Sequence, residues 1–531
     1  MTAEEIKNSF TLKQLQSYNS EIRSKYNHLR FEYSQLKNKF EIRLESAIKE
    51  RTSELENKYK QDIKEKDKEI EVLKKKIAQM QSIMDNDSTN SGLPTSKTAI
   101  GKKKYIPNTR EKTGRKIGGQ EGHKKHKLVA FNEEEVTETL DIIPTECTKC
   151  HSKEIEILKS SVDKQELDYE VKVIKRKNRF VNCRCKNCNH TFHAPIPNDL
   201  KEEIQYGKTV QSLAICLTNE TYTPFNKTVK LISGMTKNEI NMSESYVAKL
   251  QKRASKNTEK FIEDLKKYIP EQPVYGWDDG VVSINQKAGI LRTYCTDNVA
   301  LFIGHESKNE EGLDADGILA NTPSTTIVMH DHIIHNYHDK YKFENVECMI
   351  HLIRRLKKMK NNTNHDWNDD LIELLSQTNK DRNMLLQDKK KEINKFDEKY
   401  LMQLDRRYDE IIKKAKEQNK APIDVNYFKD EEKRFIDDLI KYKRNYLLWA
   451  YDFSLPSTNN NSERNIRPIK SKLKISGQFQ NINYVQYYAN IRSYIETCKK
   501  NDINIIEACV RLMSDNPYTL EEILAFKKDS E

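Results

Sequence analysis

Three acids stand where chemistry could be done. Val274-Tyr275-Gly276-Trp277 runs into Asp278 and Asp279, and Thr326-Ile327-Val328-Met329-His330 runs into Asp331. Both runs are short and apolar, so each acid is expected at the end of a strand. Much later, after Pro456 and the polar stretch Ser457 to Ser462, Glu463 stands at the start of a helix. Carboxylates from separate segments can share two Mg²⁺ ions, or Mn²⁺ in their place, because hard oxygen ligands suit these cations and leave positions for water and phosphate oxygens. One ion then activates water or a 3′-hydroxyl while the other stabilises the leaving oxygen of an in-line displacement. Taken singly, each acid also has an ordinary reading. Asp278 and Asp279 can close a turn before Gly280, Asp331 between two histidines can be a loop residue, and Glu463 can be an i,i+4 partner of Arg467.

A second chemistry lies upstream. Cys147-Thr148-Lys149-Cys150 and Cys185-Lys186-Asn187-Cys188 are paired CxxC knuckles. Their four thiolates, Cys147, Cys150, Cys185 and Cys188, can close a tetrahedral Zn²⁺ site with no open position, so the zinc is read as structural. Cys183 lacks the spacing to Cys188, and His151, His190 and His193 are further ligand types nearby. The interval from Glu166 to Val181 reads as strand-like, as a zinc ribbon-like module needs. The other five of the ten cysteines are scattered singly, which fits a reducing compartment and a cytoplasmic protein.

Several elements must position these groups. Strand ends that bring two Asp residues and a helix-borne Glu together are components of an RNase H-like fold. Residues 271–517 are expected to form that α/β catalytic domain, with a helical insertion at about 357–450. Ahead of it, 201–270 reads as helical, either packing or a DNA reader resembling helix-turn-helix, and 129–200 holds the zinc module. Leu12 to Met84 contains no proline or glycine, and Leu15, Tyr18, Ile22, Leu29, Leu36 and Phe40, then Ile63, Ile70, Leu73, Ile77 and Met80, recur at helical steps. Residues 1–84 therefore read as a coiled coil interrupted near Lys49 to Lys60, giving a homodimer or higher oligomer. The whole is a multidomain α+β chain, closed by a tail at 518–531.

Charge narrows the partner. The chain carries a formal net charge of +11, and Lys102 to Lys127 concentrate cations around Ile117-Gly118-Gly119-Gln120-Glu121-Gly122-His123. Residues 85–128 thus read as a linker and basic segment that attracts a polyanion, with Lys116, His123, Lys124 and Lys125 as DNA contacts. No run of eighteen apolar residues suggests a membrane span, and the start, Met1 to Ser9, has no apolar core of a secretion signal.

From about Gly114 to Pro517 the chain resembles transposases of the insertion-sequence sixty-six family. Gly118 to His126 looks like that family's GGQxGHxxH segment, and the knuckles look like its zinc-binding domain. His330-Asp331-His332 with Tyr337 looks like the segment of its second catalytic Asp. Cys348 to Leu356 is similar to its CxxHxxRxL helix, and Asn459 to Arg467 resembles its NNxxERxxR segment. The resemblance implies a DDE transposase: Asp278, Asp331 and Glu463 as catalytic Mg²⁺ ligands, and Arg464 and Arg467 near phosphate. It further implies terminal inverted repeats and target DNA as partners, helper proteins from the same element, and a bacterial, nucleoid-associated setting. Where the family has Asp-Glu-Thr, this chain has Asp278-Asp279-Gly280, so Asp279 stands as the alternative first acid. A DNA-binding remnant without catalysis is the competing reading.

Overall fold

The computed structural model describes residues 2–84, 86, 128–197, 200, 202–332, 334–387, 393–421 and 426–528. The basic segment with Lys116, His123, Lys124 and Lys125 lies outside the described residues. The architecture is mixed α+β, and the chain divides into two units, residues 1–86 with 419–435 and residues 87–418 with 436–531.

In the first unit, α1 (Ala3–Met84) is one helix of 82 residues. The break expected near Lys49 to Lys60 is a gap in the apolar stripe only. Lacking proline and glycine, that stretch keeps its backbone bonds and the helix runs through it. Most of its large apolar residues, among them Leu15, Leu29, Leu36, Ile63 and Ile70, are exposed. The Lys75 ammonium lies over the Tyr427 ring, 6.0 Å from its centroid.

In the second unit, β1 (Cys183–Arg184) and β2 (Thr191–Phe192) form a small antiparallel hairpin. The interval Glu166 to Val181 contains no strand. Its Leu167, Tyr169 and Ile174 are exposed, and alternating apolar residues without a second layer to cover them do not hold a sheet. Helices α2 (Lys208–Asn219), α3 (Phe225–Met235), α4 (Glu244–Asn257) and α5 (Glu259–Tyr268) follow. Ser243 caps α4, its Oγ accepting from the Tyr246 N–H at 3.1 Å. Val247, Leu250 and Ala254 of α4 join the same core as Ala214, Ile232 and Phe261, so these helices pack through one buried face.

The sheet is five-stranded: β3 (Val274–Ile284), β4 (Lys287–Cys295), β5 (Ala300–His305), β6 (Ile327–His330) and β7 (Glu344–Glu347), in the order β5-β4-β3-β6-β7. The β3–β4 and β4–β5 pairs are antiparallel, whereas β6 lies parallel to β3 and β7 parallel to β6. The sequence ended a strand at Asp279. In fact β3 runs on unbroken to Ile284, so Asp278 is mid-strand. The two-residue turn Asn285-Gln286 has φ of 45° and 66°, the conformation that matches strand twist in a tight hairpin. It is held from outside: Gln286 N–H donates to Gln478 Oε1 at 2.8 Å and Asn285 N–H to Phe479 O at 2.9 Å.

After α6 (Glu310–Asp316), β6 and β7 comes the helical insertion, α7 (Met349–Thr363), α8 (Trp367–Gln387), α9 (Glu398–Lys420), α10 (Asn426–Lys441) and α11 (Lys443–Tyr451). The chain then returns as α12 (Asn460–Ser476) and α13 (Ile482–Lys500) against one sheet face. Val282, Ile284, Phe302, Ile466, Ile469 and Tyr488 form the core there. The other core gathers Tyr275 and Trp277 with Tyr294, Ile495 and Leu512 of α14 (Ile505–Met513). The expected tail is a helix, α15 (Leu520–Lys528), whose Leu520 and Ile523 are buried. Among the described residues no helix is long and apolar enough to cross a membrane.

Candidate active site

Side chains alternate along β3, so Gly276, Asp278, Gly280 and Val282 share a face. The two glycines make that face a seat for α12. A Cβ on Gly276 would stand 2.6 Å from Ser462 Oγ and 2.9 Å from Asn459 Oδ1, and one on Gly280 would stand 3.0 Å from Ile466 Cγ2. A glycine inside a strand usually weakens it; here both allow close approach of a helix. Asn459 completes the seat, its Nδ2 donating to Trp277 O at 2.8 Å and its N–H to Cys348 Sγ at 3.2 Å. With the start of α12 fixed there, Glu463 in its first turn comes to the carboxylate between the glycines.

Asp331 arrives through sheet register. Val274, Tyr275 and Gly276 pair in parallel with Ile327, Val328 and Met329. Continued by two residues, the same offset sets Asp331 level with Asp278 and on the same side. The Asp278 carboxyl is pushed up to about 7 by burial first, then by the charges of Asp331, Asp279 and Glu463. Asp331 and Glu463 therefore lie near enough to Asp278 for their charges to act on it, although among the described residues the three carboxylates do not fall into one cluster of metal-ligand spacing.

Asp279 points elsewhere. Its Oδ2 is 2.7 Å from Lys308 Nζ, on the side of β3 away from α12. The shared face belongs to Asp278.

Helix α7 adds what sequence left open. His351 Nδ1 lies 2.7 Å from Asp331 Oδ1 and 3.8 Å from Glu463 Oε1, while Arg354 NH1 stands 3.0 Å from His351 Nε2. A guanidinium can only donate, so Nε2 is the acceptor and the ring proton sits on Nδ1, facing the carboxylates. The Asp331 contact is off hydrogen-bond alignment, and Asp331 Oδ1 is a buried oxygen with no hydrogen-bond partner. Orphaned buried oxygens are rare, and one beside two further carboxylates fits a divalent cation taken by hard ligands. Arg464 and Arg467 are exposed on the same helix as Glu463, with Arg467 NH2 3.7 Å from Glu463 Oε2.

Sequence reasoning missed the frame around Asp331. His330 Nδ1 is 2.6 Å from Asp331 O and its Nε2 is 2.7 Å from Asn345 Oδ1. His332 Nδ1 bonds Glu347 Oε1 at 2.8 Å, and Tyr337 OH donates to the same oxygen at 2.5 Å. Tyr446 of α11 stacks on His332, so the helical insertion grips the loop that carries Asp331. The paired histidines around Asp331 and Tyr337 beyond them were the signal; nothing marked Glu347.

The knuckles are built alike. Cys147 N–H donates to Ser152 O at 2.9 Å and His151 N–H to Cys147 O at 2.9 Å; Cys185 N–H donates to His190 O at 2.8 Å and Asn189 N–H to Cys185 O at 2.9 Å. His151 and Asn189 both take positive φ, 57° and 56°. In each, backbone N–H groups aimed at the first sulfur lower its pKa, those of Cys150 and Lys149 at Cys147 and those of Cys188 and Asn187 at Cys185. Two identical thiolate-favouring turns fit halves of a zinc site, although among the described residues the four sulfurs are not gathered into one cluster.

Comparison with known proteins gives one family match: the model of the "Transposase IS66 family" covers residues 203–486, more than half the chain. No curated protein matches.

Proposed function

Because the chain belongs to the IS66 transposase family, we propose that it binds the ends of its own mobile element and catalyses metal-dependent cleavage and transfer of DNA strands. The convergence of Asp278, Asp331 and Glu463 on one face of the sheet carries this reading. The strand order, with three antiparallel strands followed by two parallel ones and the last acid on a later helix, supports an RNase H-like catalytic domain.

Asp278, Asp331 and Glu463 would hold two Mg²⁺ ions, which supply an activated nucleophile and charge neutralisation at phosphorus. The chain's own residues do the rest. The glycine seat fixes Glu463 against Asp278. His351 lies within ion-pair range of Asp331 and Glu463, and Arg354 contacts the other ring nitrogen and holds the imidazole in place. Arg464 and Arg467, exposed beside Glu463, reach for phosphate oxygens and position the strand.

Cys147, Cys150, Cys185 and Cys188 would hold a structural Zn²⁺, and the segment with Lys116, His123, Lys124 and Lys125 would add phosphate contacts. The exposed apolar stripe of α1 would pair with a second copy, so that two DNA ends are held together.

The test is strand cleavage of labelled element ends in Mg²⁺ or EDTA, comparing wild type with Asp278→Ala, Asp331→Ala and Glu463→Ala. Metal-dependent nicking or joining that all three substitutions abolish supports the proposal. Binding without cleavage under any divalent metal favours a DNA-binding remnant.

A further inference from the structure

We propose that Glu310, His335 and His338 form a second metal site, distinct from the three carboxylates, that takes a divalent transition metal of the zinc class.

The site is made by local geometry. Ile334–Tyr337 is a 3₁₀ turn, and His338 N–H closes onto His335 O at 3.2 Å. In a 3₁₀ turn, residues three apart eclipse one another, so the two imidazoles stand on the same side, ring centroids 5.5 Å apart. Glu310, in the first turn of α6, meets them: Oε1 is 3.1 Å from His338 Nδ1 and Oε2 is 3.8 Å from His335 Nδ1. One ligand atom from each residue falls within 4.8 Å of the other two.

A second observation points to a missing ligand. His335 Nδ1 is shielded from solvent and has no hydrogen-bond partner, standing 3.8 Å from Glu310 Oε2, while the side chain as a whole is 39% exposed. A solvent-shielded imidazole nitrogen is seldom left without a partner.

Ligand chemistry selects the metal. Two imidazoles and one carboxylate suit Zn²⁺, Co²⁺ or Ni²⁺, whereas Mg²⁺ prefers an all-oxygen shell. The place is now held by a lysine. Lys340 Nζ contacts Glu310 Oε1 and also lies 2.7 Å from Asp314 Oδ2. When a metal arrives, the ammonium has Asp314 to withdraw to. Lys340 and His338 already hold the Glu310 carboxyl below its ordinary value, so the ligand is ionised beforehand. A metal here would tie the segment that follows Asp331 to α6. The site does not depend on the DNA chemistry proposed above.

The experiment is a Co²⁺ titration of the full chain, stripped with EDTA and kept in excess Mg²⁺ so that the carboxylate set is occupied. Wild type should bind one equivalent more than Glu310→Gln and than the double variant His335→Gln/His338→Gln. That equivalent should give visible d–d bands without the near-ultraviolet thiolate charge transfer that the knuckles produce. Lys340→Met should tighten it about tenfold, by removing the competing cation. Equal stoichiometry in wild type and both ligand variants overturns the proposal, as does an extra equivalent whose only signature is thiolate charge transfer.

Discussion

Replacing Asp278 by Asn should stabilise the metal-free protein while abolishing its chemistry. The Asp278 carboxyl is pushed up to about 7 from an ordinary 3.8. Below the lower value the side chain is neutral in both folded and unfolded chains, and wild type and Asp278→Asn are equal. As pH rises between the two values, the unfolded chain ionises and the folded chain does not, so wild type loses stability. Above about 7 the loss is complete. A tenfold change in proton affinity is worth ~1.4 kcal/mol, and with the partial exposure of Asp278 discounted the plateau is roughly 3 kcal/mol. Hydrogen exchange of the β3 peptide in EDTA reads this locally, without requiring the whole chain to unfold in one step. The advantage of Asp278→Asn should be roughly 1 kcal/mol at pH 5 and roughly 3 kcal/mol at pH 8. Mg²⁺ should protect β3 in wild type at pH 8 and not in the variant. An Asn variant that opens more readily than wild type at pH 8, or a gap unchanged between the two pH values, would refute the reasoning.

Other perturbations follow from the same geometry. Gly276→Ala should cost about 2 kcal/mol by overpacking against Ser462 and Asn459, and should lower cleavage more than Gly280→Ala, because it moves the start of α12; denaturation and cleavage rates check both. Glu347→Gln should cost about 3 kcal/mol and raise the Mg²⁺ concentration needed for half-maximal cleavage several-fold, since Glu347 accepts from both His332 and Tyr337. An unchanged Mg²⁺ requirement would remove Glu347 from the positioning of Asp331. Chelating zinc should open 147–188 to protease while α2 to α5 and the sheet stay resistant; a cleavage pattern indifferent to the chelator would count against a structural zinc.

Much of the site was legible in sequence because its carriers are local. Runs of β-branched and aromatic residues marked β3 and β6, and the polar stretch before Glu463 marked the start of α12. The choice between Asp278 and Asp279 was not legible, since it depends on which face of β3 the helix covers. Gly276 and Gly280 mark that face: their spacing leaves the side of β3 that carries Asp278 open to α12. The continuation of β3 through Gly280 was hidden for the same reason, because a glycine that reads as a turn in sequence is here a contact surface. Glu347, from β7, and Tyr446, from α11 of the insertion, reach His332 beside Asp331 only through tertiary folding. On α1 the gap in the apolar stripe removes no backbone hydrogen bond, so the helix runs through it.

The proposed activity requires Asp278, Asp331 and Glu463 to form one cation site. Anomalous diffraction from crystals of the protein grown with Mn²⁺ and a duplex of its element's end tests it most directly. Mn²⁺ should be held by all three carboxylates beside a DNA phosphate, with Asp279 still paired to Lys308. Manganese bound through Asp279 instead, or no manganese between Asp331 and Glu463 with DNA in place, would contradict it.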